Sequence, residues 1–228
     1  MIITLDGPAG AGKSTVARRL AARLSEKQGM IFEYLDTGSM YRAVALLGVR
    51  NNTDWQSPEQ LERLAQSAVV TVTNGRTFLN GEDVTETVRS PEITEKTRFA
   101  ADNPVIRLLM VAQQQKIAQT FLANHKGLVT EGRDQGTVVF PEAACKFFLT
   151  ATPEERTRRR LGELQQRGIP GDFDTIYQQI TERDARDLAR PVGPLCEPAD
   201  SHRMVSDGMT IDEVVERLVE IVFQPQAV

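Results

Sequence analysis

The residues with the clearest chemical potential form one glycine-rich segment near the start of the chain. Gly7-Pro8-Ala9-Gly10-Ala11-Gly12-Lys13-Ser14 matches the pattern G-x-x-x-x-G-K-[ST], in which backbone N–H groups surround phosphate oxygens. Lys13 is expected to reach the β- and γ-phosphates, and the hydroxyl of Ser14 is expected to bind Mg²⁺. The segment therefore predicts a binding site for ATP or another nucleoside triphosphate, in which Thr15 also takes part.

The elements that flank this segment are those that the motif requires. The apolar run from Ile2 to Leu5 predicts a buried strand that ends at the loop. After the loop, apolar residues recur at helical spacing from Lys13 to about Gln28. A glycine-rich loop between a strand and a helix is the context in which this motif binds phosphate.

Strands and helices alternate along the rest of the chain. Short apolar runs at 32–35, 128–130, 146–149 and 204–205 predict further strands, and helical patterns cover 38–50, 91–101, 104–124, 153–167, 174–190 and 211–223, with another helix starting at 57–59. This alternation is typical of the α/β class, and we predict a doubly wound parallel sheet of about five strands.

Residues 69–89 follow a different pattern. Alternating segments at 69–73 and 76–79 flank Asn74-Gly75, the strongest two-residue signal for a β-hairpin. An antiparallel hairpin does not belong in a parallel sheet, so we interpret it as an insertion into one domain that spans residues 1–228.

Composition excludes several other classes of protein. The net charge of −4 argues against binding of DNA or of acidic membranes through the overall field of the protein. Cys145 and Cys196 form no motif typical of disulfides or zinc, and we interpret His125 and His202 as surface residues. No apolar run has the length of a membrane span and no signal segment opens the chain, so we expect a cytoplasmic protein.

The arginine pattern narrows the choice among proteins with this phosphate loop. The chain lacks the N-K-x-D motif of GTPases, and no apolar strand ends in the aspartate usual in ATPase motors. Arginines outnumber lysines 21 to 6, and eight of the arginines lie from Arg156 to Arg190. The same region carries eight acidic residues from Glu154 to Asp187. One interpretation is that these helices are solvated and stabilised by i,i+4 ion pairs. The other is that they form a mobile lid whose arginines close over phosphates.

Several segments together resemble one family. They are the loop with its preceding strand, then Asp36-Thr37-Gly38-Ser39-Met40-Tyr41-Arg42, Gly132-Arg133-Asp134-Gln135-Gly136-Thr137-Val138-Val139-Phe140-Pro141, Arg183-Asp184-Ala185-Arg186-Asp187, Arg190-Pro191 and Pro194-Leu195. In these segments the chain resembles the bacterial cytidylate kinases, which are nucleoside monophosphate kinases. The resemblance covers nearly the whole chain, and it implies transfer of the γ-phosphoryl group of ATP to CMP or dCMP with Mg²⁺.

The resemblance also implies roles for individual residues. Catalytic roles fall to Lys13, Arg133, Arg183 and Arg190; contacts to ATP fall to residues 7–15, Arg156 and Arg160; contacts to CMP fall to Thr37, Arg42, Thr97, Arg107, Arg133, Asp134, Asp187 and Arg190. Asp134 is implied to accept from the amino group of cytosine. The hairpin at 69–89 is implied to be an NMP-binding insertion and residues 154–190 a lid, in a protein expected to be a monomer.

Two other functions remain open from the sequence. One is a kinase with the same loop for another small acceptor, such as UMP, AMP or shikimate. The other is an ATP-binding regulator without turnover. Nucleic-acid binding is not expected, because the acidic residues among the arginines balance their charge.

Overall fold

The computed structural model describes residues 1–73, 75–166 and 168–224, and these residues contain a five-stranded parallel sheet. Its strands are β1 (Ile2–Asp6), β2 (Phe32–Asp36), β6 (Gly127–Gly132), β7 (Cys145–Thr150) and β8 (His202–Val205). They are arranged in the order β2-β6-β1-β7-β8, and all four pairings are parallel. The prediction of a parallel α/β sheet of about five strands is confirmed.

Helices cover both faces of this sheet. They are α1 (Lys13–Gln28), α2 (Thr37–Arg50), α3 (Pro58–Ser67), α4 (Pro91–Ala101), α5 (Pro104–Ala123), α6 (Pro153–Gln166), α7 (Phe173–Ala189) and α8 (Ile211–Phe223). Side chains of α1 and α8 pack with Ile3, Leu5 and Phe147 in one core, whereas α2 to α5 pack with Leu35 and Leu128 in a second. Each sheet face thus has its own hydrophobic core, which makes the sheet doubly wound.

The predicted hairpin is present as a small antiparallel sheet. Its strands are β3 (Val70–Thr73), β4 (Arg76–Leu79) and β5 (Glu82–Asp83), and Thr73 pairs with Arg76. Asn74 of the predicted turn lies outside the described residues, as does Arg167 near the end of α6. The small sheet packs on α2, and the Thr77 hydroxyl donates to that of Ser39 at 2.9 Å.

Two short helical turns have no counterpart in the sequence prediction. Thr87–Arg89 forms a 3₁₀ turn and Gln135–Val139 a π-helical turn, both too short to produce a periodic pattern. The second turn follows β6 at the edge of the sheet where β1 and β2 also end, at Asp6 and Asp36. Ligands of parallel sheets bind at this carboxyl edge. No helix in the described part of the chain is long and apolar enough to cross a membrane.

Candidate functional site

A cavity of about 330 Å³ opens at the carboxyl edge of the sheet. It is lined by Ala9, Gly10, Gly12, Lys13, Ser14, Thr15, Asp36, Thr37, Gly38, Tyr41, Arg42, Thr97, Arg107, Glu131, Gly132, Arg133, Asp134, Glu163, Arg183, Asp187 and Arg190. Every catalytic and CMP-binding residue predicted from the sequence is in this set. Six basic side chains and five carboxylates share the cavity, so it suits a polyanion that could displace internal ion pairs.

The phosphate loop holds its lysine in a buried position. Nζ of Lys13 donates to the carbonyl oxygen of Pro8 at 2.8 Å. Burial and the nearby guanidinium of Arg133 lower the pKa of Lys13 to about 7. Phosphate oxygens in the cavity would stabilise the charged ammonium and reverse this shift.

Ser14 is hydrogen-bonded to a carboxylate from a distant part of the chain. Its hydroxyl donates to Oε1 of Glu131 at 2.9 Å, and Glu131 lies near the end of β6. Burial raises the pKa of Glu131 despite the positive charges of Lys13 and Arg133. Sequence reasoning missed Glu131 because it looked for a strand ending in aspartate, although an acidic residue closing the apolar run 128–130 was a usable signal.

Thr37 and Arg42 lie at the start of α2, and local structure explains their placement. Asp36 caps this helix by accepting from the backbone N–H of Ser39 at 2.9 Å, and its other oxygen pairs with Arg42 at 3.0 Å. The Nε–H of Arg42 is buried and has no partner among the described residues. Thr37 donates its hydroxyl to the carbonyl of Glu131 at 2.7 Å, which leaves the lone pairs of the oxygen available.

Arg107 and Asp134 form a buried ion pair at the wall of the cavity. Their side chains are only 3% and 5% exposed. Thr97 of α4 also lines the cavity and donates its hydroxyl to the carbonyl of Ile93 at 2.7 Å. The loop after α7 closes over the pair, since a Cβ atom at Gly193 would lie 2.0 Å from Oδ2 of Asp134.

Asp187 connects the arginines that follow β6 and α7. Its Oδ2 accepts from Nε of Arg133 at 2.7 Å, and its Oδ1 pairs with Arg190 at 2.6 Å. Burial alone would raise the pKa of Asp187, but Arg133 and Arg190 outweigh it and hold that pKa below its ordinary value. Nε of Arg190 also donates to Oδ1 of Asp102 at 2.7 Å, a contact that the sequence did not indicate.

Arg183 adds a further cation to the cavity. Burial and the charge of Arg133 lower the pKa of Arg183 to about 10, which still leaves it protonated at neutral pH. Crowding of like charges of this kind is relieved when an anion binds between them.

The two arginines predicted on α6 lie outside the set that lines the cavity. Arg156 is buried behind the phosphate loop, donates to the carbonyl of Ala9 at 2.9 Å and pairs with Asp184 at 2.6 Å. Arg160 is exposed and pairs with Glu163 at 2.9 Å. Gly7, Pro8 and Ala11 of the loop do not line the cavity either.

The arginine-rich helices α6 and α7 differ in where their charged side chains lie. On α6, the exposed Arg158 and the half-buried Arg159 form i,i+3 and i,i+4 pairs with Glu155, as expected of a solvated helix. The cavity is lined instead by Arg183 and Asp187 of α7 and by Arg190, which directly follows that helix.

Further residues of the cavity carried no role in the sequence analysis. They are Asp36, Gly38, Tyr41, Glu131, Gly132 and Glu163. The two histidines are exposed, as expected, and the thiols of Cys145 and Cys196 are free.

A second cavity of about 370 Å³ lies beside the phosphate loop. Its walls include Gly10, Ala11 and Thr15 of the loop and first helix, Arg158, Arg159 and Gly162 of α6, and Ser206, Met209 and Ile211 near α8. Arg159 spans this region by donating to the hydroxyl of Ser206 at 3.1 Å. Its mostly apolar walls and its position suit a planar base attached to phosphates in the loop.

The residues around Ser14 fit Mg²⁺. Among residues 1–73, 75–166 and 168–224, no group of three or more His, Cys, Asp or Glu side chains forms a metal cage. Mg²⁺ in phosphoryl-transfer sites needs only one or two protein oxygens, since phosphates and waters complete its shell. The hydroxyl of Ser14 donates to Glu131, so the Ser14 oxygen can offer a lone pair to a cation.

Comparisons with known proteins agree over almost the whole chain. The sequence model of the family described as cytidylate kinase matches residues 3–224. A cytidylate kinase from Rhodopirellula baltica is 44% identical over 222 residues, which cover 97% of this chain and 92% of that protein. A cytidylate kinase from Caldanaerobacter subterraneus subsp. tengcongensis is 41% identical over 220 residues, which cover 96% of this chain and 93% of that protein.

Other relatives are larger. A bifunctional pantoate ligase/cytidylate kinase from Prochlorococcus marinus is 45% identical, but this chain spans 43% of its length. Among solved structures, an uncharacterised protein from Eubacterium ventriosum is similar with a TM-score of 0.50, 13% identity and 99% coverage of both chains. That last similarity concerns the fold alone.

Proposed function

The chain belongs to the cytidylate kinase family and phosphorylates CMP or dCMP with ATP, and we propose that both nucleotides bind in the cavities described above. The observation that carries the proposal is that one cavity contains both a phosphate loop and a buried pair able to read a base. Lys13 and Ser14 belong to the first, and Arg107 and Asp134 form the second. A transferase needs both substrates in contact, and a single cavity provides this.

The triphosphate is proposed to occupy the loop at residues 7–15, with its base in the second cavity. Lys13 supplies a positive charge to the β- and γ-phosphates. Arg156 supports this site from behind by fixing the carbonyl of Ala9, whereas Arg160 is exposed on α6. Arg156 is thus proposed to support ATP binding indirectly, through the phosphate loop. Arg160 is proposed to contact ATP from the exposed surface of α6.

Mg²⁺ is proposed to accompany ATP, held by the hydroxyl of Ser14. When bound, the ion would supply positive charge that neutralises the charge developing during transfer. Glu131 orients the Ser14 hydroxyl through their hydrogen bond and is suited to bind water of the magnesium shell.

The acceptor is proposed to lie against α2, α5 and the turn after β6. We propose that its phosphate is bound by Thr37, Arg42 and Arg133. Its base is proposed to bind Asp134, Arg107 and Thr97, and all six residues line the cavity. Asp134 accepts from the amino group of cytosine and repels the carbonyl oxygen that uracil has in its place. Asp187 and Arg190 are proposed to bind the sugar and close over the phosphates.

The chemistry needs no dedicated base. The second pKa of a phosphate monoester is about 6, so the attacking phosphate oxygen is already ionised at neutral pH. Catalysis then consists of holding two anions in line and neutralising their charges, which Lys13, Arg133, Arg183 and Arg190 can do.

We also propose the domain organisation that the sequence predicted. Residues 154–190 contribute Glu163, Arg183, Asp187 and Arg190 to the cavity, which suits a lid. No described residue of the 69–89 insertion lines the cavity, so its proposed role in acceptor binding acts through its packing on α2. A monomer and a cytoplasmic location remain part of this proposal, and the free thiols of the two cysteines support the location.

An assay of ADP formation with several acceptors tests the function. Purified protein is given ATP and Mg²⁺ with CMP, dCMP, UMP, AMP, GMP or shikimate, and we expect turnover with CMP and dCMP far above the others. The Lys13→Met variant should be inactive with all of them. Preferential turnover of UMP, AMP or shikimate would assign a different acceptor, and ATP binding without ADP formation would indicate a regulator.

A further inference from the structure

Asp6 is a completely buried carboxylate that lies between the phosphate loop and the turn that follows Asp134. It is the last residue of β1 and immediately precedes the phosphate loop. Its Oδ1 accepts from the backbone N–H of Gln135 at 2.9 Å, and its Oδ2 accepts from that of Gly136 at 2.7 Å. These two N–H groups are the first two of the π-helical turn that follows Asp134.

Asp134 occupies the position that would normally cap this turn. An aspartate directly before a helical turn usually accepts from the N–H of the second or third residue that follows. The side chain of Asp134 makes no capping bond, and it pairs with Arg107 instead. Asp6 already binds the N–H of Gly136, which is the second residue of the turn.

Close packing keeps the turn within reach of Asp6. A Cβ atom at Gly136 would lie 3.0 Å from Oγ1 of Thr4 and 3.2 Å from Cδ of Lys146, so only glycine fits there without displacement. The hydroxyl of Thr130 also donates to the side chain of Gln135 at 2.8 Å. The backbone of the turn therefore packs closely against β1.

We propose that Asp6 is a positioning residue for acceptor selection: it caps the turn in place of Asp134 and so leaves the Asp134 carboxylate directed at Arg107 and the cavity. The proposal rests on the base-reading role proposed for Asp134. Without Asp6, the first N–H groups of the turn lose their acceptor, and Asp134, which occupies the N-cap position, has a carboxylate able to replace it. A carboxylate that turns back to cap its own turn no longer faces the base.

The test measures the ratio of kcat/KM for CMP to kcat/KM for UMP. Asp6→Asn keeps the size of the side chain but replaces one acceptor oxygen with an N–H₂ group, and we expect the ratio to fall about tenfold or more. Because both acceptors are assayed with the same ATP, any effect of Asp6 on the adjoining phosphate loop cancels in the ratio. A fall in both rates with an unchanged ratio would show a merely structural role and overturn the proposal.

A matched control and a second variant guard against a general loss of structure. Asp172 caps α7 by accepting from the N–H of Thr175 at 2.8 Å and is absent from both cavities, so Asp172→Asn should leave the ratio unchanged. Gly136→Ala displaces the turn without altering Asp6, and it should lower the ratio even if Asp6→Asn does not fold. An unchanged ratio in folded Gly136→Ala contradicts the proposal.

A double-mutant cycle separates this proposal from the one on which it rests. If Asp6 acts through Asp134, Asp6→Asn should lower the ratio in the wild type and leave it unchanged in an Asp134→Ala background. An equal fall in both backgrounds means that Asp6 acts independently. If Asp134→Ala alone does not lower the ratio, the base-reading role of Asp134 is wrong; if it does and folded Asp6→Asn does not, only the role of Asp6 is wrong.

Discussion

The hydroxyl of Ser14 donates a 2.9 Å hydrogen bond to the carboxylate of Glu131, 117 residues further along the chain. The bond joins the start of α1 to the end of β6 at the point where the phosphates of ATP are proposed to bind. It orients the serine of the phosphate loop so that its oxygen can offer a lone pair to a cation.

Glu131→Gln should raise the Mg²⁺ concentration required for half-maximal activity by about tenfold, because an amide binds metal-bound water less strongly than a carboxylate. The measurement is a Mg²⁺ titration of the initial rate at fixed ATP and CMP. Glu33→Gln is the matched control, since Glu33 is also a buried glutamate but pairs with Lys126 at 2.8 Å, outside the cavity. An unchanged Mg²⁺ requirement in Glu131→Gln would argue against a role in ion binding.

Arg42→Ala should raise KM for CMP by about tenfold or more, because a charge-assisted hydrogen bond to the acceptor phosphate is lost. KM for ATP should stay nearly the same. Steady-state kinetics with each substrate varied in turn measure both constants. Arg50→Ala provides the control, because Arg50 lies on the same helix and pairs with Glu82 at 2.6 Å away from the cavity. A parallel rise of both constants in Arg42→Ala would indicate a folding defect instead.

Asp134→Ala should remove most of the preference for CMP over UMP, a change of about 100-fold in the ratio of kcat/KM values, since the site loses the acceptor that selects an amino group. Asp134→Asn should go further and favour UMP, because its N–H₂ group can donate to the carbonyl oxygen of uracil. Acceptor kinetics with CMP and UMP give the ratios. Retention of the wild-type ratio in both variants would refute the assignment.

Asp6 should make stability depend on pH. Burial, the largest effect, raises the pKa of Asp6 from 3.8 to about 7 despite hydrogen bonds from Gly136 and Gln135. The folded state therefore holds this proton more tightly than the unfolded state does. The resulting contribution to the unfolding free energy is complete below a pH of about 4 and is lost as pH rises to about 7.

Asn cannot titrate, so the unfolding free energy of the wild type minus that of Asp6→Asn should decrease between about pH 4 and pH 7, by a few kcal/mol at most. Urea unfolding of both proteins across this range measures the difference. A difference that does not change with pH would show that Asp6 has an ordinary pKa in the folded state.

The phosphate loop, the α/β class and the hairpin could be predicted from the sequence because each depends on neighbouring residues. The loop motif is contiguous from Gly7 to Ser14, and its flanking strand and helix have their own hydrophobic periodicity. Likewise, Arg133 and Asp134 lie in one short segment of recognisable pattern. Information of this kind is local, so it survives without knowledge of the tertiary structure.

Which residues meet across the cavity was decided only by the tertiary structure. The sheet order β2-β6-β1 places Glu131 beside the phosphate loop and Asp6 beside the turn after Asp134. Neither contact can be predicted from the hydrophobic periodicity of the sequence. Helix orientation decided the rest: Arg156 faces the back of the loop, whereas Arg183 faces the cavity. The sequence by itself determined which chemical groups are present and which elements carry them. Packing of the parallel strands determined which of those groups act together, because strand order depends on contacts between residues far apart in the chain.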